Sequence, residues 1–215
     1  MLKQPPMWKV PLFDTDLGEA ECAAAAGVIR SGWLTMGDRV RAFEESFAAF
    51  IGVRHAVAVS SCTAALHLAN QALGIGPGDE VICPSLTFVA SPNTIMLTGA
   101  KPVFADIVAI GDFGLSAEDV ERRVTPATKA IHLLHYAGAP CNMDGIMAVA
   151  GRHGLKVIED CAHAPGASHK SRPVGAIGDF GCFSFFSNKN MTTGEGGMLT
   201  TGDEALAEKA RLMRS

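Results

Sequence analysis

Apolar residues recur at helical spacing over residues 16–30, and the polar, glycine-bearing stretch Ser31-Gly32-Trp33-Leu34-Thr35-Met36-Gly37 breaks them off. A second helical pattern follows over 39–51. From residue 56 the pattern changes. Short apolar runs at 56–59, 80–83, 102–105, 130–134, 156–158 and 181–186 alternate with helix-period stretches at 63–73, 89–97 and about 143–153. Such alternation predicts an α/β fold with a mostly parallel sheet sandwiched by helices. The first two helices precede that sheet as an N-terminal helical segment over about residues 1–52. Gly74, Gly76, Gly78, Gly99, Gly154 and Gly175 fall where helices end or turns are needed.

Composition narrows the reading. The chain has 215 residues with 48% hydrophobic positions, enough for one large domain with a real core and too many for a disordered chain. No repeat, low-complexity tract or long polar linker marks an internal boundary. With 18 Lys and Arg against 22 Asp and Glu the formal charge is −4, which excludes a nucleic-acid binder driven by phosphate neutralisation. No apolar run approaches the ~20 residues of a membrane span, and residues 1–6 lack the apolar stretch of a signal peptide. The expected location is the cytoplasm, without membrane association. Cysteines stand singly at 22, 62, 83, 141, 161 and 182, with no C-x-x-C pair, so neither a metal site nor a disulfide framework is suggested.

In open parallel sheets, ligands bind beyond the carboxyl ends of the strands, so polar residues just after each apolar run are the ones to inspect. After 56–59 comes Ser60-Ser61-Cys62-Thr63, leading straight into a helix. Free amides and the helix dipole there favour an anion, with hydroxyls from Ser61 or Thr63, although an ordinary N-cap is the plainer explanation of the segment taken alone. After 80–83, Pro84-Ser85-Leu86-Thr87-Phe88 places an aromatic near the same ends. Phe88 could lie flat on a ring-shaped ligand or simply belong to the core. The run 156–158 leads into Glu159-Asp160-Cys161-Ala162-His163. A carboxylate at a buried strand end is costly unless it faces a cation, and a protonated heterocyclic nitrogen is one; a helix cap at Asp160 and a core histidine at His163 are the plainer alternatives. Finally, Lys189 follows the aromatic end of 181–186 and precedes Gly194-Glu195-Gly196-Gly197. A partly desolvated lysine can condense with a carbonyl cofactor, whereas most lysines only solvate a surface.

Anion cradle, flat aromatic, strand-end acid and glycine-flanked lysine together make the set of parts that pyridoxal 5'-phosphate (PLP) requires. Asp160 precedes Lys189 by 29 residues, room for one intervening strand and turn, so both can reach one site from neighbouring strand ends.

With these residues in view, the chain resembles the DegT/StrS family of PLP-dependent sugar aminotransferases, from about residue 11 to the last. The matching stretches are the 31–37 loop, 60–69, 78–90, His135-Tyr136-Ala137-Gly138, 158–167 and 184–198. The resemblance implies the large domain of the aspartate-aminotransferase fold (PLP fold type I) and a homodimeric active site. It implies Lys189 as the Schiff-base lysine and proton shuttle, Asp160 as the pyridinium partner and Phe88 as the stacking aromatic. Thr63, Ala64 and Ser184 match phosphate ligands, beside Ser61 and Cys62 at the same helix start. His163 stands where many members carry a glutamine near the cofactor's 3'-hydroxyl. Trp33, Thr35, Met36 and Gly37 are candidate substrate contacts, or else a turn with Trp33 packed on the fold.

The implied reaction takes an amino group from an amino acid, with glutamate the expected donor, and delivers it to a keto group on a nucleotide-linked sugar. Some relatives replace the lysine by histidine and dehydrate sugars instead; Lys189 favours amino transfer. Family members are considerably longer, and the chain stops at Ser215 inside what reads as a continuing element. The expectation is therefore a large domain over 1–215 whose small C-terminal domain is absent, with a truncated, non-catalytic remnant as the alternative.

Overall fold

The computed structural model describes residue 9 and residues 13–214; residues 1–6, read above as lacking a signal peptide, the start of the family resemblance near residue 11, and Ser215 lie outside the described residues. In chain order the elements are α1 (Glu19–Ser31), α2 (Asp38–Ile51), β1 (His55–Val59), α3 (Cys62–Ala72), β2 (Glu80–Pro84), α4 (Ala90–Leu97), β3 (Lys101–Ala105), β4 (Ile107–Ala109) and β5 (Asp112–Leu115). They continue with α5 (Ala117–Arg123), β6 (Thr128–Leu134), a 3-10 turn at Tyr136–Gly138, α6 (Met143–His153), β7 (Lys156–Asp160), β8 (Ser168–His169), β9 (Arg172–Pro173), β10 (Phe180–Ser184), β11 (Gly197–Thr201) and α7 (Glu204–Arg214).

Seven strands form one sheet in the order β1-β11-β10-β7-β6-β2-β3. The five from β10 to β3 run parallel, while β11 lies antiparallel to both β10 and β1. Alternation along the strands divides the core into two layers. Val57, Ile158, Phe180, Cys182 and Leu199 pack beneath α3 and α7, and Val81, Cys83 and Ala130 beneath α4. On the opposite face, Ile82, Ile131, Leu133 and Val157 meet α5 and α6, and Ala56, Phe183 and Met198 meet α2. The fold is thus α/β, a mostly parallel seven-stranded sheet with helices on both faces, as the apolar pattern predicts.

The differences from the sequence reading lie in particular elements. The first helix begins at Glu19 and not at residue 16, because Glu21 folds back to accept the Gly18 amide at 2.8 Å and so closes the first turn. β7 extends through Glu159 and Asp160, which are buried members of the strand and not residues beyond it. β11, α5, α7 and the two short hairpins β4–β5 and β8–β9 go beyond the elements that periodicity indicates.

Candidate active site

The carboxyl ends of β2, β6, β7 and β10 open together onto a cavity of about 560 Å³ beside the N-terminus of α3. Its wall includes Ser61, Cys62, Thr63, Phe88, Asp160, His163, Ser184 and Lys189. Eight of the sequence-derived candidates, drawn from four separate stretches of chain, therefore share one wall.

Asp160 sits on the α3 face of β7 and is 2% exposed. One carboxylate oxygen, Oδ1, accepts the Ala162 amide at 3.0 Å and the Cys62 thiol at 3.7 Å. Its other oxygen has no hydrogen-bond partner among the described residues, although the carboxylate lines the cavity. Burial raises its pKa above the ordinary carboxylate value, with the Ala162 amide and the charge of Lys189 pulling the other way. Such an acid is poised for a cationic donor placed in the cavity. The cavity's ammonium, Lys189, follows β10, the parallel neighbour of β7, and its side chain takes part in no ion pair among the described residues.

The start of α3 forms the far end of the wall. Ser61 caps the helix by accepting the Ala64 amide at 3.1 Å, while the amides of Cys62 and Thr63 meet no acceptor among the described residues. Two orphan donors at the positive end of a helix dipole suit an anion. Ala64 stands apart from the other candidates: its amide serves the cap, and it borders a separate hollow with His67 and Arg214. β11 brings this helix start close, since a Cβ on Gly197 would lie 2.4 Å from the Ser61 carbonyl carbon and 2.7 Å from the Cys62 nitrogen.

His163 is half-buried, and its Nδ1 accepts the Ala137 amide at 3.3 Å, which leaves the ring proton on Nε2. Ala137 adopts a left-handed conformation (φ 52°, ψ 23°) to present that amide. Burial, aided by Lys189, lowers the His163 pKa, so the ring is a neutral donor at pH 7. Tyr136 packs edge-on to it, with ring centroids 6.1 Å apart. Phe88 is 65% exposed on the cavity wall, a placement that leaves a ring face available.

Trp33, Thr35, Met36 and Gly37 are not among the cavity residues. They form a local turn closed by the Trp33 indole donating to the Met36 carbonyl at 3.0 Å, with Trp33 63% exposed and not packed on the fold. Conversely, Tyr136, Asn188 and Glu195 line the cavity without having been singled out as site residues. Tyr136 lies two residues past the apolar run 130–134, so the strand-end rule that found Asp160 would also have found it.

The comparisons with known proteins agree with this geometry. A family model for the DegT/DnrJ/EryC1/StrS aminotransferase family matches residues 15–215. The chain belongs to that family. It is 53% identical over 197 residues to the spore coat polysaccharide biosynthesis protein SpsC of Bacillus subtilis (strain 168), covering 92% of this chain and 50% of that protein. Among solved structures, DesV of S. venezuelae is 42% identical with a TM-score of 0.88, over 91% of this chain and 53% of DesV. A Streptococcus pneumoniae protein solved in its PLP-form is 30% identical with a TM-score of 0.90, over 95% of this chain and 57% of that one. The chain thus spans about half the length of the relatives it matches. Family membership and the PLP-form neighbour imply PLP as the cofactor, and the residues fit it. Among the described residues, an oxygen of the buried Asp160 without a partner suits a pyridinium, the α3 amides suit a phosphate, and Lys189, in no ion pair, stands by the same wall.

Proposed function

We propose that the chain forms the cofactor-binding part of an aminotransferase that moves an amino group from an amino acid, glutamate by expectation, to a keto carbon of a nucleotide-linked sugar. The observation that carries the reading is Asp160 and Lys189 on one cavity wall, the acid with a free oxygen and the amine with no ion-pair partner among the described residues. PLP, when bound, supplies an electrophilic carbon and an electron-withdrawing ring. Asp160 holds a proton on the ring nitrogen and so keeps the ring electron-poor. The Lys189 amine holds the cofactor and then carries a proton between the amine-bearing carbon and the cofactor. Ser61, Thr63, Ser184 and the Cys62 and Thr63 amides bind the phosphate, Phe88 covers a ring face, and His163 donates through Nε2. Lys189 favours amino transfer over the dehydration catalysed by relatives that carry histidine there.

The resemblance also implies a homodimer. Six unpaired thiols, five of them buried, suit the reducing cytoplasm, and no described helix is long and apolar enough to cross a membrane.

The test is a visible absorption spectrum of the purified chain with added PLP, followed by borohydride reduction and peptide mapping. The expected result is a borohydride-sensitive band with the label on Lys189, lost in Lys189→Ala. A label on another lysine, or an unchanged band in the variant, overturns the assignment.

A further inference from the structure

The face of β7 turned away from the cavity carries a second buried carboxylate to which the proposed reaction gives no role. Glu159 is fully buried, and its four hydrogen bonds saturate it. Oε1 accepts the amides of Ile177 (2.9 Å) and Gly178 (2.7 Å), while Oε2 accepts the Gly175 amide (2.9 Å) and His135 Nε2 (3.0 Å). His135 itself accepts the Cys141 amide on Nδ1 at 3.1 Å. The ring therefore carries its proton on Nε2 and points it at Glu159.

Main-chain bonds tie this node to the peptide of Asp160. The His135 amide donates to the Asp160 carbonyl at 3.1 Å, and the next amide, Cys161, donates to the Cys182 carbonyl of β10 at 2.8 Å. The Gly175 carbonyl accepts the Thr200 hydroxyl of β11 at 2.7 Å. Gly175 has φ +83°, and a Cβ there would lie 2.4 Å from the Phe183 ring, so the loop carrying three of the donors is pressed against β10. Glu159 thus ties the ends of β6 and β7 to β10 and β11 around the one peptide unit from which Asp160 enters the cavity. An ionised carboxylate in a core is costly unless fully paired, and an apolar side chain could fill the same space without that cost.

We infer that Glu159 is a positioning residue: through His135 and the 175–178 loop it fixes the strand end so that the free oxygen of Asp160 stays directed at the bound cofactor. The inference rests on the function proposed above, and the experiment separates the two.

Wild type, Glu159→Gln, His135→Gln and Asp160→Asn are titrated with PLP, and both the dissociation constant and the position of the visible band at saturation are read. Glutamine presents an NH2 group where Glu159 accepts from Gly175 and His135, so two donors lose their acceptor. Glu159→Gln is expected to bind PLP roughly 10- to 100-fold more weakly, the scale of lost bonds to a charged group. Its saturated band should move in the same direction as that of Asp160→Asn. His135→Gln, which can still donate to Glu159, should move the same way but less. A Glu159→Gln protein with wild-type affinity and band, and only a lower unfolding temperature, overturns the inference and leaves the proposed function standing. If Glu159→Gln does not fold, His135→Gln decides, and wild-type affinity and band there overturn it. A wild-type protein with no band removes the proposed function and this inference together.

Discussion

Two adjacent carboxylates on β7, buried to nearly the same degree, are driven in opposite directions by what surrounds them. Burial opposes ionisation of both. At Glu159 the His135 ring and the loop amides overcome it and hold the carboxyl below its usual value. At Asp160 one amide and a weak thiol donor do not, and the pKa stays raised. The count of donors decides which carboxylate is a finished structural anion and which still has an interaction to make. A third buried group, His132, shows the same logic in a base. Its Nε2 lies 2.9 Å from Asn70 Oδ1, its Nδ1 has no partner among the described residues, and burial lowers its pKa to about 3. Between pH 6.5 and about 3 the unfolded chain binds a proton at His132 that the folded chain does not. Stability should therefore fall with decreasing pH across that window, by at most about 1.4 kcal/mol per unit from this residue. Urea unfolding of wild type and His132→Gln at pH 6.5 and 4.5 checks this: the variant should lose less stability on acidification, and equal losses would refute the assignment.

At the scale of elements, what was legible in the sequence is what a local pattern can carry. β1, β2, β6 and β10 are short apolar runs buried on both faces, and the strand-end rule then led to Asp160, Phe88 and Lys189. β11 was not legible. Its sequence, Gly-Met-Leu-Thr-Thr, holds two strongly apolar residues and opens with a glycine that reads as turn, so its strand state comes from antiparallel pairing with β1 and β10. Glu159 was visible as an acid at a strand end, but its role depends on a loop 16 to 19 residues further on. β11 also sets a test. Because a Cβ on Gly197 would press on backbone atoms of Ser61 and Cys62, Gly197→Ala must displace the start of α3, where the orphan amides lie. The expected outcome is a lower unfolding temperature together with weaker binding of inorganic phosphate and PLP. Unchanged binding of both by isothermal titration would show that the helix start is not the anion site.

Among the described residues, α1 is a helix with no buried residue. It has 13 residues, and helices of that length are marginal alone in water. Around it Leu17, Ile29, Trp33 and Leu34 are 58%, 69%, 63% and 72% exposed. Apolar surface at that density is characteristic of an interface. The rest of the molecule is different in kind: its core continues through both layers of the sheet, and its ion pairs, such as Arg122 with Glu118, lie mostly on the surface where they contribute little. The segment that the strands do not hold is thus the one expected to meet a second copy, in keeping with the homodimer proposed above. Sedimentation velocity of the 22.5 kDa chain across a range of concentrations should show a species of twice that mass. Replacing Ile29 and Leu34 by serine, neither of which lines the cavity, should shift it toward monomer. Removal of two large apolar side chains from a packed interface costs several kcal/mol, which is enough to weaken a dimer by two or more orders of magnitude. A variant that associates as tightly as wild type would place the contact elsewhere, and a wild type that stays monomeric at every concentration would mean that α1 is held by something other than a second copy.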